Sequence, residues 1–155
     1  MTPISKALVF VSTLSVSACA QSHTMQNKFV AEEYKVAASK GDLIGKVRLS
    51  QTRARITFCL LIIVPATEYT REWAQATADG RQVDNSGITR IRDARAGGVA
   101  VCDGSGNFAA GSLGSGRWIV LASLLWYVGR GRHEDTLWGE VDVQPNKTSQ
   151  ILLTP

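Results

Sequence analysis

An all-β fold, an antiparallel β-sandwich, is the architecture the sequence predicts, on three observations. Apolar runs are short and recur between clusters of turn residues. The strongest run, residues 117–128, is rich in Trp, Ile, Val and Tyr and is bounded by Gly116 and Gly129. Removing an eighteen-residue leader from the 155 residues leaves 137, enough for one domain with a true core.

The leader, residues 1–18, runs in the order of a secretory signal: a charge at Lys6, an apolar stretch over 7–16, then small residues. It is too short and too interrupted by serines and a threonine to span a bilayer, which needs about 20 apolar residues. Val16-Ser17-Ala18-Cys19 resembles the lipobox of bacterial lipoproteins. The resemblance implies cleavage after Ala18 and acylation of Cys19. Two or three chains at about 0.8 kcal/mol per methylene hold a protein on the membrane. Ala20, rather than an aspartate, follows the cysteine, so sorting to the outer membrane, on its periplasmic face, is expected.

Residues 19–40 are then the lipidated cysteine and a polar tether with His23 incidental to it, and 41–155 the folded domain. Residues 29–39 have an ambiguous period, fitting either a short helix or an extended lead-in, and Lys40-Gly41-Asp42 reads as a turn. Residues 43–50 form a first strand and 53–64 a second, stopped by Pro65. Thr67 can cap a short helix with Tyr69, Trp73 and Ala76 on one side. Residues 78–86 are polar and turn-rich, and 89–96 read as an arginine-bearing edge strand. Gly97-Gly98 precedes a strand at 99–102, which Asp103 to Asn107 turns into an apolar strand restarting at Phe108, as a hairpin. Residues 117–128 form a central strand, 137–143 alternate, and Pro145-Asn146-Lys147 turns into a last strand at 151–153.

The stretches Cys102-Asp103-Gly104-Ser105-Gly106-Asn107-Phe108 and Leu113-Gly114-Ser115-Gly116-Arg117-Trp118-Ile119-Val120 resemble the carboxypeptidase regulatory-like domain, a transthyretin-like (prealbumin-like) module. Its pattern is Asp-x-x-Gly-x-Phe, then Leu-Pro-x-Gly-x-Tyr-x-Val. Here Gly114 replaces the proline and Trp118 the tyrosine. The resemblance implies a seven-stranded antiparallel Greek-key sandwich over residues 41–154, with the segment 67–96 as a long insertion. It gives Asp103 and Gly106 to a turn, Phe108 to the core, Leu113 and Gly116 to the motif's second half, and Trp118 a place across from Phe108. It carries no catalytic residue, since the module is accessory to many functions.

With Cys19 acylated, Cys59 and Cys102 remain as an even pair in an oxidising compartment, which favours a disulfide over two buried thiols. Seventeen basic residues against thirteen acidic are no nucleic-acid signature. The groups Arg53 and Arg55, Arg90, Arg92 and Arg95, and Arg130 and Arg132 read as solvated strand edges before they read as a patch for anionic lipid or an acidic partner. His133-Glu134-Asp135 reads as a solvated loop, with neither metal site nor proton shuttle expected. The Gly111 to Gly116 run lacks the lysine of a phosphate loop and the spacing of a serine nucleophile. No enzyme and no cofactor are expected.

Residues 58–64 and 118–128 are apolar on both faces, so something must cover the second face of their sheet. The segment 67–96 is long enough to do so. Otherwise an exposed patch with Trp126 or Trp118 would bind another envelope protein. The functional expectation is a non-enzymatic, membrane-anchored module that binds or scaffolds an envelope component. Alternatives are an assembly lipoprotein of a secretion system, or a small-ligand or glycan binder using Trp126, Tyr127 and Trp138.

Overall fold

Alternating strands and one doubly apolar pair generate the architecture, which the computed structural model describes for residues 21–35, 37–51 and 54–155. The elements in chain order are β1 (Lys40–Val47), β2 (Arg55–Pro65), α1 (Glu68–Ala78), α2 (Ser86–Asp93), β3 (Gly98–Val101), β4 (Asn107–Gly114), β5 (Gly116–Val128), β6 (Gly131–Val143) and β7 (Thr148–Leu153). A 3-10 turn at Ala31–Tyr34 precedes them. The strands form a three-stranded sheet, ordered β4-β1-β7, and a four-stranded sheet, ordered β3-β2-β5-β6. Seven strands in two sheets are as expected, but the sandwich is not purely antiparallel. β1 and β7 run parallel, Ile44 opposite Gln150 and Val47 opposite Leu153.

Between the sheets lies the main core, with Leu43 and Val47 from one side and Leu61, Ile63 and Val120 from the other. Because side chains alternate along a strand, the residues between these, Val64, Ile119 and Leu121, face outward, and they too are buried. The segment 67–96 covers them, as the doubly apolar pattern requires. Tyr69, Trp73 and Ala74 of α1 and Ile88 and Ile91 of α2 make a second apolar cluster with that outer face.

Helix α1 starts where the sequence places it. The Thr67 hydroxyl accepts from the Thr70 amide at 3.2 Å while the Thr67 amide donates to Thr70 Oγ1 at 2.8 Å, a reciprocal cap. Arg71 ties the helix to β6, Nε donating to Glu140 Oε1 at 2.7 Å and Nη2 to Oε2 at 3.2 Å. The guanidinium holds the Glu140 carboxyl below its ordinary range.

Four sequence expectations are corrected. Residues 89–96 are not an edge strand: 86–93 form α2, with Ile88 and Ile91 turned to the cluster. Lys40-Gly41-Asp42 opens β1 instead of turning. β3 and β4 are not a hairpin, because the Asp103 to Gly106 turn carries the chain from one sheet to the other. His133-Glu134-Asp135 lies within β6, not in a loop.

Residues 21–29, read as tether, lie along α1. Ser22 bridges to Gln82, and Glu72 is ringed by donors: the Gln26 amide at 2.6 Å, the Asn27 amide at 2.7 Å, Asn27 Nδ2 at 2.9 Å and His23 Nε2 at 2.8 Å. His23 is therefore part of the packing. Burial alone would raise the Glu72 pKa, but these bonds to the charged form pull it down to about 2. A depressed carboxyl contributes stability that is complete above its unfolded value near 4.5 and lost as pH falls toward 2. We expect Glu72→Ala to be less stable than the parent in urea at pH 7 and equal to it near pH 2. A constant difference across that range would show that the ion does not hold the segment.

Candidate functional site

Helices α1 and α2 cover only part of the outer face of the four-stranded sheet. The register defines what they leave open. Phe58 pairs with Leu125, which pairs with Glu134, and Tyr127 lies between Arg55 and Arg132. On β3, Val101 stands opposite Leu60 and Val99 opposite Ile62. All of these point to the same side as Leu121 and Trp138 by strand alternation. Beyond the helices they meet solvent: Phe58 is 52% exposed, Val99 56% and Val101 68%. Scattered apolar side chains need no account, but several contiguous ones on one flat face mark an interaction surface.

A shallow depression of about 550 Å³ lies on this face. Phe58 and Leu125 give it an apolar floor, and the C-terminal end of α1, at Thr77 and Ala78, with Gly80 just after it, walls one side. Arg132, Glu134 and Thr136 of β6 supply the polar rim. Arg132 Nη2 donates to Glu134 Oε1 along the strand. A β-bulge between Ile56 and Phe58 re-aims the end of β2 here, and Thr57 Oγ1 donates to the Leu125 carbonyl at 3.1 Å. The surface offers an aromatic ring, an aliphatic neighbour, and donors and acceptors at the edge. It can hold a flat, partly apolar ligand bearing hydroxyl groups.

Of the residues singled out in sequence, Cys19 and Arg53 fall outside the described residues. Cys59 and Cys102 are joined, with Cα atoms 5.4 Å apart. Asp103 and Gly106 form the expected turn: Asp103 Oδ1 accepts from the Ser105 and Asn107 amides at 2.8 and 2.9 Å. Those bonds, the Asn107 amide foremost, hold its carboxyl below the usual range. Gly106 has φ of +83°, and a Cβ there would lie 2.2 Å from the Val47 carbonyl oxygen, so the position demands glycine. Phe108, Leu113 and Trp118 are buried in the main core, and Trp118 Nε1 donates to the Gly114 carbonyl at 2.7 Å. Gly116 takes φ of +133° where β5 begins.

Trp126, Tyr127 and Trp138 are not brought together. Trp126 faces the main core, only 8% exposed, and stacks on the His133 ring at 4.4 Å. Trp138 faces the other way, half-buried against the helices. Only Tyr127 lies on the open face. Trp118 is likewise no surface residue. Within β6, His133 and Asp135 point to the side opposite Glu134, so the three do not converge. Arg90 lies over the Phe29 ring at 5.7 Å and Arg92 sits on α2, so neither lines a strand edge. In sequence Phe58, Val99 and Val101 read only as members of apolar strands, and Arg132 and Glu134 read separately, as a solvated edge and a loop, never as one surface. The legible signal was the even-numbered series Arg132, Glu134, Thr136 on β6, a polar edge opposite Leu125.

No family model matches the chain, and no curated protein matches it. Among solved structures, the chain is similar to a candidate carbohydrate binding protein from Pseudomonas aeruginosa, at a TM-score of 0.58 and 18% sequence identity. The match covers 83% of this chain and 99% of that one. What the two share is the fold. At this identity the likeness extends to the sandwich and does not assign residues.

Proposed function

We propose that this chain is a non-enzymatic binding module of the bacterial cell envelope that takes glycans on the open half of its four-stranded sheet. A lipid on Cys19 would hold it at the outer membrane. The observation that carries the reading is Phe58, half exposed on a flat face beside Leu125 and Tyr127 and rimmed by Arg132 and Glu134. Sugar rings present a C–H face that packs on an aromatic ring, while their hydroxyls need donors and acceptors at its edge. The name carried by the similar Pseudomonas aeruginosa protein supports the same ligand class.

Titration calorimetry with chitooligosaccharides and peptidoglycan fragments tests the proposal. Saturable binding is expected, with Phe58→Ala weakening it by about tenfold or more, the loss of one central contact. Because Phe58 is exposed, the variant's Tm should stay near the parent's. Absence of binding, or a Phe58→Ala affinity equal to the parent's, would sink the glycan reading.

A second reading, scaffolding of another envelope protein such as a secretion component, rests on Val99 and Val101. They are exposed on β3, an edge strand with one hydrogen-bonding side unpaired among the described strands. Crosslinking in intact cells that captures a stoichiometric protein through β3 would favour it over glycan binding.

A further inference from the structure

A separate cavity of about 290 Å³ lies between the two helices and the outer face of β2 and β5. Ile62, Val64 and Leu121 form its floor, and Trp73 and Ile88 close it from the helices. Four of these five are less than a tenth exposed. Folded interiors are close-packed, with few voids larger than a water molecule. A dry cavity of about 150 Å³ suffices for benzene, so this one has room for about twelve non-hydrogen atoms.

Thr77 of α1 and Ser123 of β5 bring hydroxyls to the lining, and its other polar groups lie along one stripe of α2 and its cap. Asn85, Thr89 and Arg92 recur at the i, i+4, i+7 spacing that shares a helix face, and all three line the cavity. Asn85 Oδ1 is taken by Trp73 Nε1 at 2.8 Å, which leaves its Nδ2 as a donor. Arg92 is the one charged residue of the lining. Among the described residues it meets a carboxylate only across 3.8 Å, from Nε to Asp93. The cavity therefore pairs an apolar interior with one cation and neutral donors at its exposed side, and nothing in it repels an anion.

We propose that this cavity binds a small amphipathic carboxylate of about ten to twelve non-hydrogen atoms. The apolar body would lie against Leu121, Ile62 and Trp73, with the carboxylate on Arg92 and the Thr89 hydroxyl. This site adjoins the depression on the open sheet face, sharing Thr77 and Ser123 with it, but its apolar floor and Arg92 are its own, so the proposal stands whether or not that face binds glycans.

The test is titration of the full chain with decanoate, below its micelle concentration, read by calorimetry. Decanol serves as the uncharged match. Arg92 and Thr89 are both exposed, so Arg92→Gln and Thr89→Trp should leave the fold intact, as circular dichroism would verify. Saturable one-to-one binding of decanoate is expected. Arg92→Gln should weaken it about tenfold while changing decanol less than about twofold, as befits one charge-assisted contact. Thr89→Trp, filling the mouth, should abolish both. No saturable binding, binding that survives Thr89→Trp, or decanoate binding unchanged by Arg92→Gln would each overturn the proposal.

Discussion

Replacing both Cys59 and Cys102 with alanine is expected to lower stability by about 4 kcal/mol. The two residues are 43 apart in sequence, and on the loop-entropy account a closure of that length restricts the unfolded chain by this amount. For a domain of this size the loss corresponds to a fall in Tm of about 10–20 °C. The closed loop holds the end of β2, both helices and all of β3. Cys102 also donates its amide to the Cys59 carbonyl at 3.4 Å, so the bridge extends the β2–β3 ladder by one rung. The short edge strand β3 pairs with β2 over only four positions, Leu60 to Ile63. Its amides should therefore exchange faster in the variant. Scanning calorimetry on the parent and the double variant decides the matter. A difference below about 1 kcal/mol would mean that the unfolded chain is already restricted and the entropic account fails here.

Trp73→Ala is the second large effect, expected to cost about 3–5 kcal/mol. Trp73 is 2% exposed and sits at the centre of the outer cluster, among Val64, Ile119 and Leu121 of the sheet and Ile88 and Ile91 of α2. Its Nε1 holds Asn85, the residue before α2. Truncation removes the packing and the bond together, so the two helices should loosen as a unit. Hydrogen exchange in α1 and α2 should rise, while β1, β4 and β7, on the far sheet, keep their protection. Trp73→Phe retains a ring and loses the hydrogen bond, for a cost nearer 1 kcal/mol plus the vacated volume. Equal losses for the two variants would show that the bond to Asn85, and not the packing, fixes the helices.

What could be read from the sequence was what depends on near neighbours. The doubly apolar β2 and β5, the Thr67 cap, the Asp103 to Phe108 turn and the covering role of residues 67–96 all follow from local pattern or from the demand that apolar faces be buried. The segments that misled have local patterns fitting two states. Arg90 and Arg92 alternate with Ile91 as in a strand, yet Ile88 and Ile91 at i, i+3 make the buried side of an eight-residue helix too short to show its period. Lys40-Gly41-Asp42 looks like a turn because of its glycine. In the fold Gly41 is there for space, since a Cβ would lie 2.2 Å from the Gln144 carbonyl oxygen. The parallel pairing of β1 with β7 joins strands about a hundred residues apart, and nothing local encodes it.

The open sheet face escaped sequence reading for a related reason. Phe58 looks like any other member of an apolar run, and only the point at which α1 stops, near Ala78, leaves it uncovered. Trp126 and Trp138 drew attention by type, but strand alternation sends them to opposite sides of one sheet.

Amide chemical-shift mapping by NMR during titration with an envelope oligosaccharide tests the central claim most directly. The proposed site predicts saturable shifts at Phe58, at residues 123–127 and at residues 132–136, with β1 and β7 of the other sheet unmoved. Shifts concentrated on Ile44, Gln150 and Leu152, which line a depression on the outer face of that other sheet, or no shifts at all, would contradict it.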